Sequence, residues 1–170
     1  SGEVSILYVR AAELLGQEIA TRGHTLVCGA NGSGLMGKLI ESVLNSGGNV
    51  VGILPQGEDI KEIPHPRLEK IHFVKSISDR KKAVRDISDA VIAFPGGIGT
   101  LDEFFEAYAL KRTGLFSKPI GLLNLNDFYQ FLILQIDVVV NEKFAKAKHR
   151  ELVIHSSDPV RLLDSLFSDC

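Results

Sequence analysis

Two glycine-rich stretches carry the residue types most suited to chemistry in this chain. The first is Gly29-Ala30-Asn31-Gly32-Ser33-Gly34-Leu35-Met36-Gly37, and the second is Pro95-Gly96-Gly97-Ile98-Gly99-Thr100-Leu101-Asp102-Glu103. Each falls between a β-prone run and a helical pattern. In an open parallel sheet that position is the carboxyl edge, where ligands bind. Helix N-termini at this edge offer free N–H groups and a partial positive charge, both suited to a phosphate. The first stretch contains no Gly-Lys-Ser/Thr, which sets it apart from the ATPase-type loop. By itself it also fits a tight strand-to-helix turn with no ligand.

The second stretch is more specific. Thr100-x-x-Glu103 has the spacing of a capping box, which accounts for both residue types structurally. It does not account for three glycines, which indicate close approach of something to the backbone. Acidic residues at a helix start that also suits an anion point to charge chemistry rather than simple anion holding. A third element, Asp79-Arg80-Lys81-Lys82-x-x-Arg85, brings the opposite charge. Such a run is commonly a solvated helix face. Here its N-terminal end is expected at the same edge as the glycines, where an arginine can grip a phosphate with two parallel hydrogen bonds.

The elements that must position these residues alternate along the chain. Val4 to Arg22 has one-face helical spacing and ends at Gly23. Thr25 to Cys28 is a short strand, Leu35 to Asn45 a helix, and Asn49 to Leu54 a buried strand. Pro55 to Pro66 is a loop. A strand lies within Leu68 to Val74, and a polar helix capped by Ser78 runs to Ser88. Ala90 to Phe94 is a strand, Thr100 to Arg112 a helix, and Pro119 to Leu123 a strand. Asp127 to Glu142 is a helix capped by Asn126, and Leu152 to Ile154 is a short strand. Asp158-Pro159 opens the last helix, with aspartate at the cap and proline in the first turn. This alternation predicts βαβ units, a parallel sheet and an α/β fold in a single domain over residues 1–170. Such a sheet calls for a strand ahead of the first helix, expected to end near Ser1-Gly2 and to be missing from the sequence.

Composition excludes several classes. The 170 residues are 45% hydrophobic and 24% charged, the balance of an ordinary globular protein. With 19 basic and 21 acidic side chains there is no overall electrostatic footprint for nucleic acid or a membrane surface. The richest apolar stretch, Phe128 to Val140, is broken by polar residues and falls short of the roughly 20 residues of a membrane span. The two cysteines, Cys28 and Cys170, make neither a disulfide framework nor a four-ligand zinc site. They are read as free thiols in a reducing, cytoplasmic compartment, and no signal peptide is visible.

Taken together, Gly34-Leu35-Met36-Gly37, Arg80-Lys81 and Pro95-Gly96-Gly97-x-Gly99-Thr100-x-x-Glu103 resemble the LOG ("Lonely guy") family. These are cytokinin riboside 5'-monophosphate phosphoribohydrolases, long mislabelled as lysine decarboxylases. The resemblance runs from about Tyr8 to Leu166 and includes Pro119-Ile120-Gly121-Leu122-Leu123-Asn124 and His149-Arg150-x-Leu152. It implies a Rossmann-like three-layer α/β/α fold with a central parallel sheet and a homodimer. It also implies hydrolysis of the N-glycosidic bond of a nucleoside 5'-monophosphate to free base and ribose 5-phosphate, with no metal or cofactor. Arg80 and Glu103 become the catalytic pair. Glu62, Lys81, Gly96, Gly97, Gly99 and Thr100 become substrate contacts, Gly34 belongs to the first phosphate loop, and Tyr108 lines the substrate. The chain departs from the family at Gly29-Ala30-Asn31, where three glycines are usual, and at Ile77-Ser78-Asp79, where Met-His-Glu is usual. Molybdenum-cofactor carrier proteins share this fold and a related glycine motif, so a carrier or sensor of a phosphorylated ligand is the rival reading. A pyridoxal-dependent decarboxylase would need a buried lysine, and no lysine stands out by motif. Met36 is expected in the core.

Overall fold

The computed structural model describes residues 5–56 and 63–168. Two compact units make up the chain, one running to Ser88 and one starting at Asp89. Among the described residues there are six strands, three in each unit, and every pairing between them is parallel. The α/β class with parallel strands is therefore the one expected from the alternating pattern.

The first unit contains α1 (Ile6–Thr21), β1 (Thr25–Cys28), α2 (Gly34–Asn45), β2 (Asn49–Pro55), β3 (Ile71–Val74) and α3 (Ile77–Ile87). Its sheet order is β1-β2-β3, so β2 is the central strand. Ser5 caps α1, and the helix buries Ala11, Ala12, Leu15 and Ile19 on one face. It ends at Gly23, whose left-handed φ of +73° takes the chain out of the helix as expected. α1 packs along α2, and the Ser42 hydroxyl donates to the Glu13 carbonyl across the seam. Ile53, Leu54 and Pro55 of β2 are buried in succession, so both faces of this strand are covered. The cap of α3 is Ser76, which accepts from the Asp79 N–H at 3.1 Å, rather than Ser78. Ser78 lies inside the first turn, where its side chain is exposed.

The second unit contains β4 (Val91–Ala93), α4 (Ile98–Thr113), β5 (Ile120–Leu123), α5 (Gln130–Asn141), β6 (Val153–Ser156) and α6 (Pro159–Leu166), in sheet order β4-β5-β6. All four residues of β5 are buried, and its two faces pack differently. Ile120 and Leu122 join Phe104 and Ala107 of α4 and Ile133 and Ile136 of α5. Leu123 joins Leu162 and Leu166 of α6. This unit is thus layered helix, sheet, helix around its central strand. Asp158 caps α6 by accepting from the Val160 and Arg161 N–H groups, with Pro159 in the first turn, as predicted. Asn126 does not cap a helix. It lies in a 3₁₀ turn over Leu125–Asp127 with φ +50°, and α5 begins four residues later.

Candidate active site

Each glycine stretch leaves the carboxyl end of a strand and enters a helix. In the second unit the turn runs from Phe94, after β4, to Gly97, which is the cap residue of α4. The Gly97 carbonyl accepts from the Thr100 and Leu101 N–H groups at 3.1 and 3.3 Å. A glycine brings no capping side chain, and Gly97, Ile98 and Gly99 are exposed. A helix start of this kind is suited to receiving an anion. Nothing lies within 4 Å of the point where a side chain would begin on Gly97 or on Gly99.

The capping box expected from Thr100 and Glu103 does not form, because the helix starts two residues earlier than its pattern suggested. Thr100 is the third residue of α4, and its side chain folds back over Gly96. A Cβ on Gly96 would collide with Thr100 Oγ1 and lie 3.1 Å from its Cβ. The glycine at 96 is therefore set by a close approach from within the protein, whereas those at 97 and 99 face open space. Glu103 falls in the second turn rather than the first. Being three and four residues beyond Thr100 and Gly99, it stands on their side of the helix. Glu103 is half-buried, and one turn further on Glu106 has its Oε2 atom buried.

In the first unit, Arg80 is the fourth residue of α3, at the same sheet edge as the end of β1. Its Nη1 lies 3.5 Å from the point where a Gly29 side chain would begin, and its Nε is buried. Met36 Cε and Sδ lie 3.6 and 3.7 Å from that same point. Met36, expected in the core, is instead 37% exposed beside the Arg80 guanidinium. Helical spacing could not distinguish the two outcomes, since Met36 stands in the first turn of α2, next to the glycine loop. The loop is held by its neighbours. Asn31 Oδ1 accepts from the Ser33 N–H and hydroxyl at 3.0 and 2.9 Å. Gly32 N–H donates to the Ile63 carbonyl, and His65 N–H to the Ala30 carbonyl. His65 Nε2 lies 3.0 Å from Glu41 Oε2. Gly34 opens α2 at φ +63°, and Lys81 follows Arg80, half-buried. Glu62 lies outside the described residues.

The structure thus gathers Gly29, Met36 and Arg80 in the first unit, and Gly96, Gly97, Gly99, Thr100 and Glu103 in the second. Tyr108 is differently occupied. It lies about 140° around α4 from Glu103, stacks on Phe104, and donates its hydroxyl to the His149 carbonyl at 3.0 Å. Burial raises its hydroxyl pKa, with Arg150 and Arg112 pulling the other way. A residue the sequence did not single out supports the second loop. Tyr129, at the entrance to α5, is 2% exposed and donates its hydroxyl to the Phe94 carbonyl at 2.7 Å.

A family model described as "Possible lysine decarboxylase" matches residues 36–166. The chain belongs to this family, the LOG family. It is 38% identical, over 94% of its own length and 70% of the relative's, to the probable cytokinin riboside 5'-monophosphate phosphoribohydrolase LOGL9 of Oryza sativa subsp. japonica. It is 40% identical, over 89% of its length and 77% of the relative's, to a cytokinin riboside 5'-monophosphate phosphoribohydrolase of Rhodococcoides fascians. Among solved structures, the molybdenum cofactor carrier protein of Chlamydomonas reinhardtii superimposes with a TM-score of 0.71 at 20% identity, covering 98% of this chain and 91% of that one. That likeness concerns the fold, the Rossmann-like α/β class common to LOG proteins and these carriers. In this LOG chain, burial lowers the pKa of Lys111, but its ammonium donates to the Ser117 and Lys118 carbonyls and fastens the turn after α4.

Proposed function

We propose that the chain hydrolyses the N-glycosidic bond of a nucleoside 5'-monophosphate, a cytokinin riboside monophosphate or AMP, releasing the base and ribose 5-phosphate. The observation that carries this reading is the second loop. A glycine-capped helix start faces open space, and a carboxylate, Glu103, stands one turn further along the same side. A phosphate on the loop N–H groups would leave the sugar within reach of that carboxylate. The names of the enzyme's relatives agree with it.

Cleavage breaks the bond between C1' and the base nitrogen, and positive charge builds on the ribose. Glu103 stabilises that charge and orients or deprotonates the attacking water, work worth about 10²–10⁴-fold in rate. Arg80 binds the substrate and helps the departing base carry its negative charge. Gly96, Gly97, Gly99 and Thr100 hold the 5'-phosphate, and Lys81, Gly34 and Glu62 are further substrate contacts. Remote binding of the phosphate then positions the sugar for reaction. The test is release of base from AMP and from isopentenyladenosine monophosphate, followed chromatographically. Glu103→Gln is expected to abolish turnover while leaving the melting temperature nearly unchanged. Wild-type rates in that variant would refute the assignment. A folded protein that binds but releases no base would favour the carrier reading, which the shared fold supports.

The exposed apolar face of the second unit supports a homodimer. Ile98 and Phe131 are 80% and 84% exposed, and Phe105, Leu134 and Val138 are also exposed, along α4 and α5. A soluble monomer rarely leaves such a face uncovered. Sedimentation at micromolar concentration would show a dimer, and Phe131→Glu would shift it towards the monomer. Among the described residues no helix is long and apolar enough to cross a membrane. A nucleotide substrate fits a cytoplasmic location.

A further inference from the structure

The second glycine loop has to keep its shape while its outer side stays open to a ligand. The glycines at 97 and 99 bring no side chains to brace it, and Thr100 braces it only from within the helix. From the opposite side comes Tyr129. Its ring is part of the core that joins Ala93, Phe104, Ile120 and Ile133. Its hydroxyl donates to the Phe94 carbonyl at 2.7 Å and faces the Gly96 N–H. One buried hydroxyl therefore touches the backbone on both sides of Pro95, where the chain leaves β4 and begins its turn.

Tyr129 is itself held in place. Its N–H donates to Asn124 Oδ1 at 2.7 Å, and the Asn124 N–H donates to the Ser156 carbonyl at 2.8 Å. Asn124 is buried, 7% exposed, at the end of β5. To reach Tyr129 from there the chain passes through Asn126 and Asp127, both with left-handed φ, of +50° and +56°. A tight turn with two non-glycine residues in that region is costly and persists only where its surroundings require it. The outcome of this turn is to put a hydroxyl under the glycine loop. The network runs from β6 through the end of β5 to Tyr129 and on to Phe94 and Gly96.

We infer that Tyr129 is the positioning residue of the active-site loop, its hydroxyl fixing the backbone at Phe94 and Gly96 so that the N–H groups beyond meet the 5'-phosphate of the substrate. The inference rests on reading this loop as the phosphate cradle. Burial raises the Tyr129 pKa to about 12, against the pull of the Gly96 N–H. The hydroxyl thus stays protonated across the working pH range. It acts as a fixed donor, not as an acid or base.

The experiment compares wild type with Tyr129→Phe, which keeps the ring and removes only the hydroxyl, and with Ile133→Val, which loosens the same core without touching the loop. Steady-state kinetics on AMP, calorimetric binding of ribose 5-phosphate, and amide hydrogen exchange by NMR are read for each. In Tyr129→Phe, exchange is expected to accelerate at Gly96 and Gly97. KM for AMP and Kd for ribose 5-phosphate should rise together by about tenfold, with a smaller fall in kcat and an unshifted pH profile. Ile133→Val should lose stability while KM stays within twofold of wild type. The inference is overturned by unchanged exchange at the loop, by a KM and Kd within twofold of wild type in Tyr129→Phe, or by an equal KM effect in Ile133→Val. Failure of the proposed reaction reads out separately. A wild type that releases no base but binds ribose 5-phosphate refutes hydrolysis, and weakened binding in Tyr129→Phe still supports the positioning role. A wild type that binds neither AMP nor ribose 5-phosphate overturns both.

Discussion

The two glycine loops share a plan, strand to loop to helix, yet they are braced in opposite ways. The first is tied along its length by neighbouring backbone and side chains. Asn31 holds Ser33, Ile63 holds Gly32, and Ala30 sits fully buried at φ +65° beneath them. The second has one side closed by Thr100 and Tyr129 and the other left open at Gly97 and Gly99. A cross-linked loop suits a platform, here for the Arg80 guanidinium above Gly29. A loop braced from below and bare above suits contact with a ligand. Similar glycine content thus corresponds to two tasks, and the difference lies in what surrounds each glycine.

The largest expected effect separates glycines within the second loop. Gly96→Ala would place a methyl group on the Thr100 hydroxyl, displacing the helix start and lowering both melting temperature and activity. A displacement of about 1 Å there is expected to cost about 10²-fold in kcat/KM. Gly97→Ala meets no protein atom within 4 Å, at an ordinary φ of −83°. Its stability should fall by no more than about 1 kcal/mol, the cost of alanine at a helix cap, while KM rises because the methyl group occupies ligand space. If Gly97→Ala kept wild-type KM, the open side would not be the phosphate site. The first loop is tested next through its cargo. Arg80→Lys keeps the charge but loses the planar fork. Losing one charged hydrogen bond costs about 1.5–3 kcal/mol, so kcat/KM should fall about 10–100-fold with little change in melting temperature. An unaffected Arg80→Lys would reduce the first loop to a structural turn.

A third prediction concerns pH. Tyr129 is raised from the ordinary tyrosine value of 10.0 to about 12 by burial. Between those values the unfolded tyrosine ionises while the folded one keeps its proton. The stabilisation is therefore fully present below about pH 10 and is lost as pH rises towards 12. Two pKa units correspond to about 3 kcal/mol. In urea unfolding at about pH 9 and about pH 11.5, wild type should lose about 2 kcal/mol more than Tyr129→Phe. Equal losses would place the tyrosine hydroxyl in contact with water and weaken its role under the loop.

Much of this was legible in the sequence, for identifiable reasons. Element order follows from periodicity, and Gly23 and Asp158 mark helix ends by local chemistry that needs no tertiary context. The loops at the sheet edge follow from strand–loop–helix order alone. The start of α4 was misplaced because Thr100-x-x-Glu103 fits a capping pattern, whereas Thr100 is occupied by its contact with Gly96, which no spacing rule encodes. Tyr129 was missed because its partner, Phe94, lies 35 residues upstream. The peptide between Asn124 and Tyr129 reads as a helix cap and turns out to be a left-handed turn. Local rules see caps and faces, and they do not see a hydroxyl meeting a carbonyl across a sheet edge.

The smallest expected effect tests how tightly the first loop is built. Ala30 holds a left-handed conformation that costs a non-glycine residue roughly 1–2 kcal/mol, where LOG proteins usually have glycine. Its methyl group is fully buried, which returns about 0.8 kcal/mol. Ala30→Gly therefore changes stability little, since relief of strain is offset by lost packing and a more flexible unfolded chain. The informative measurement is a double-mutant cycle with Gly52. A Cβ on Gly52 would lie 2.7 Å from the Ala30 Cβ but 3.6 Å from the Ala30 Cα. Gly52→Ala alone should cost about 1–3 kcal/mol through overpacking. In the Ala30→Gly background most of that cost should disappear, leaving the 3.3 Å approach to Leu68 Cδ1. A coupling of about 1 kcal/mol would show that Ala30 and Gly52 exchange one methyl group's worth of space between them. Strict additivity would show that the first loop yields locally, and the contrast with the open second loop would then rest on Arg80 alone.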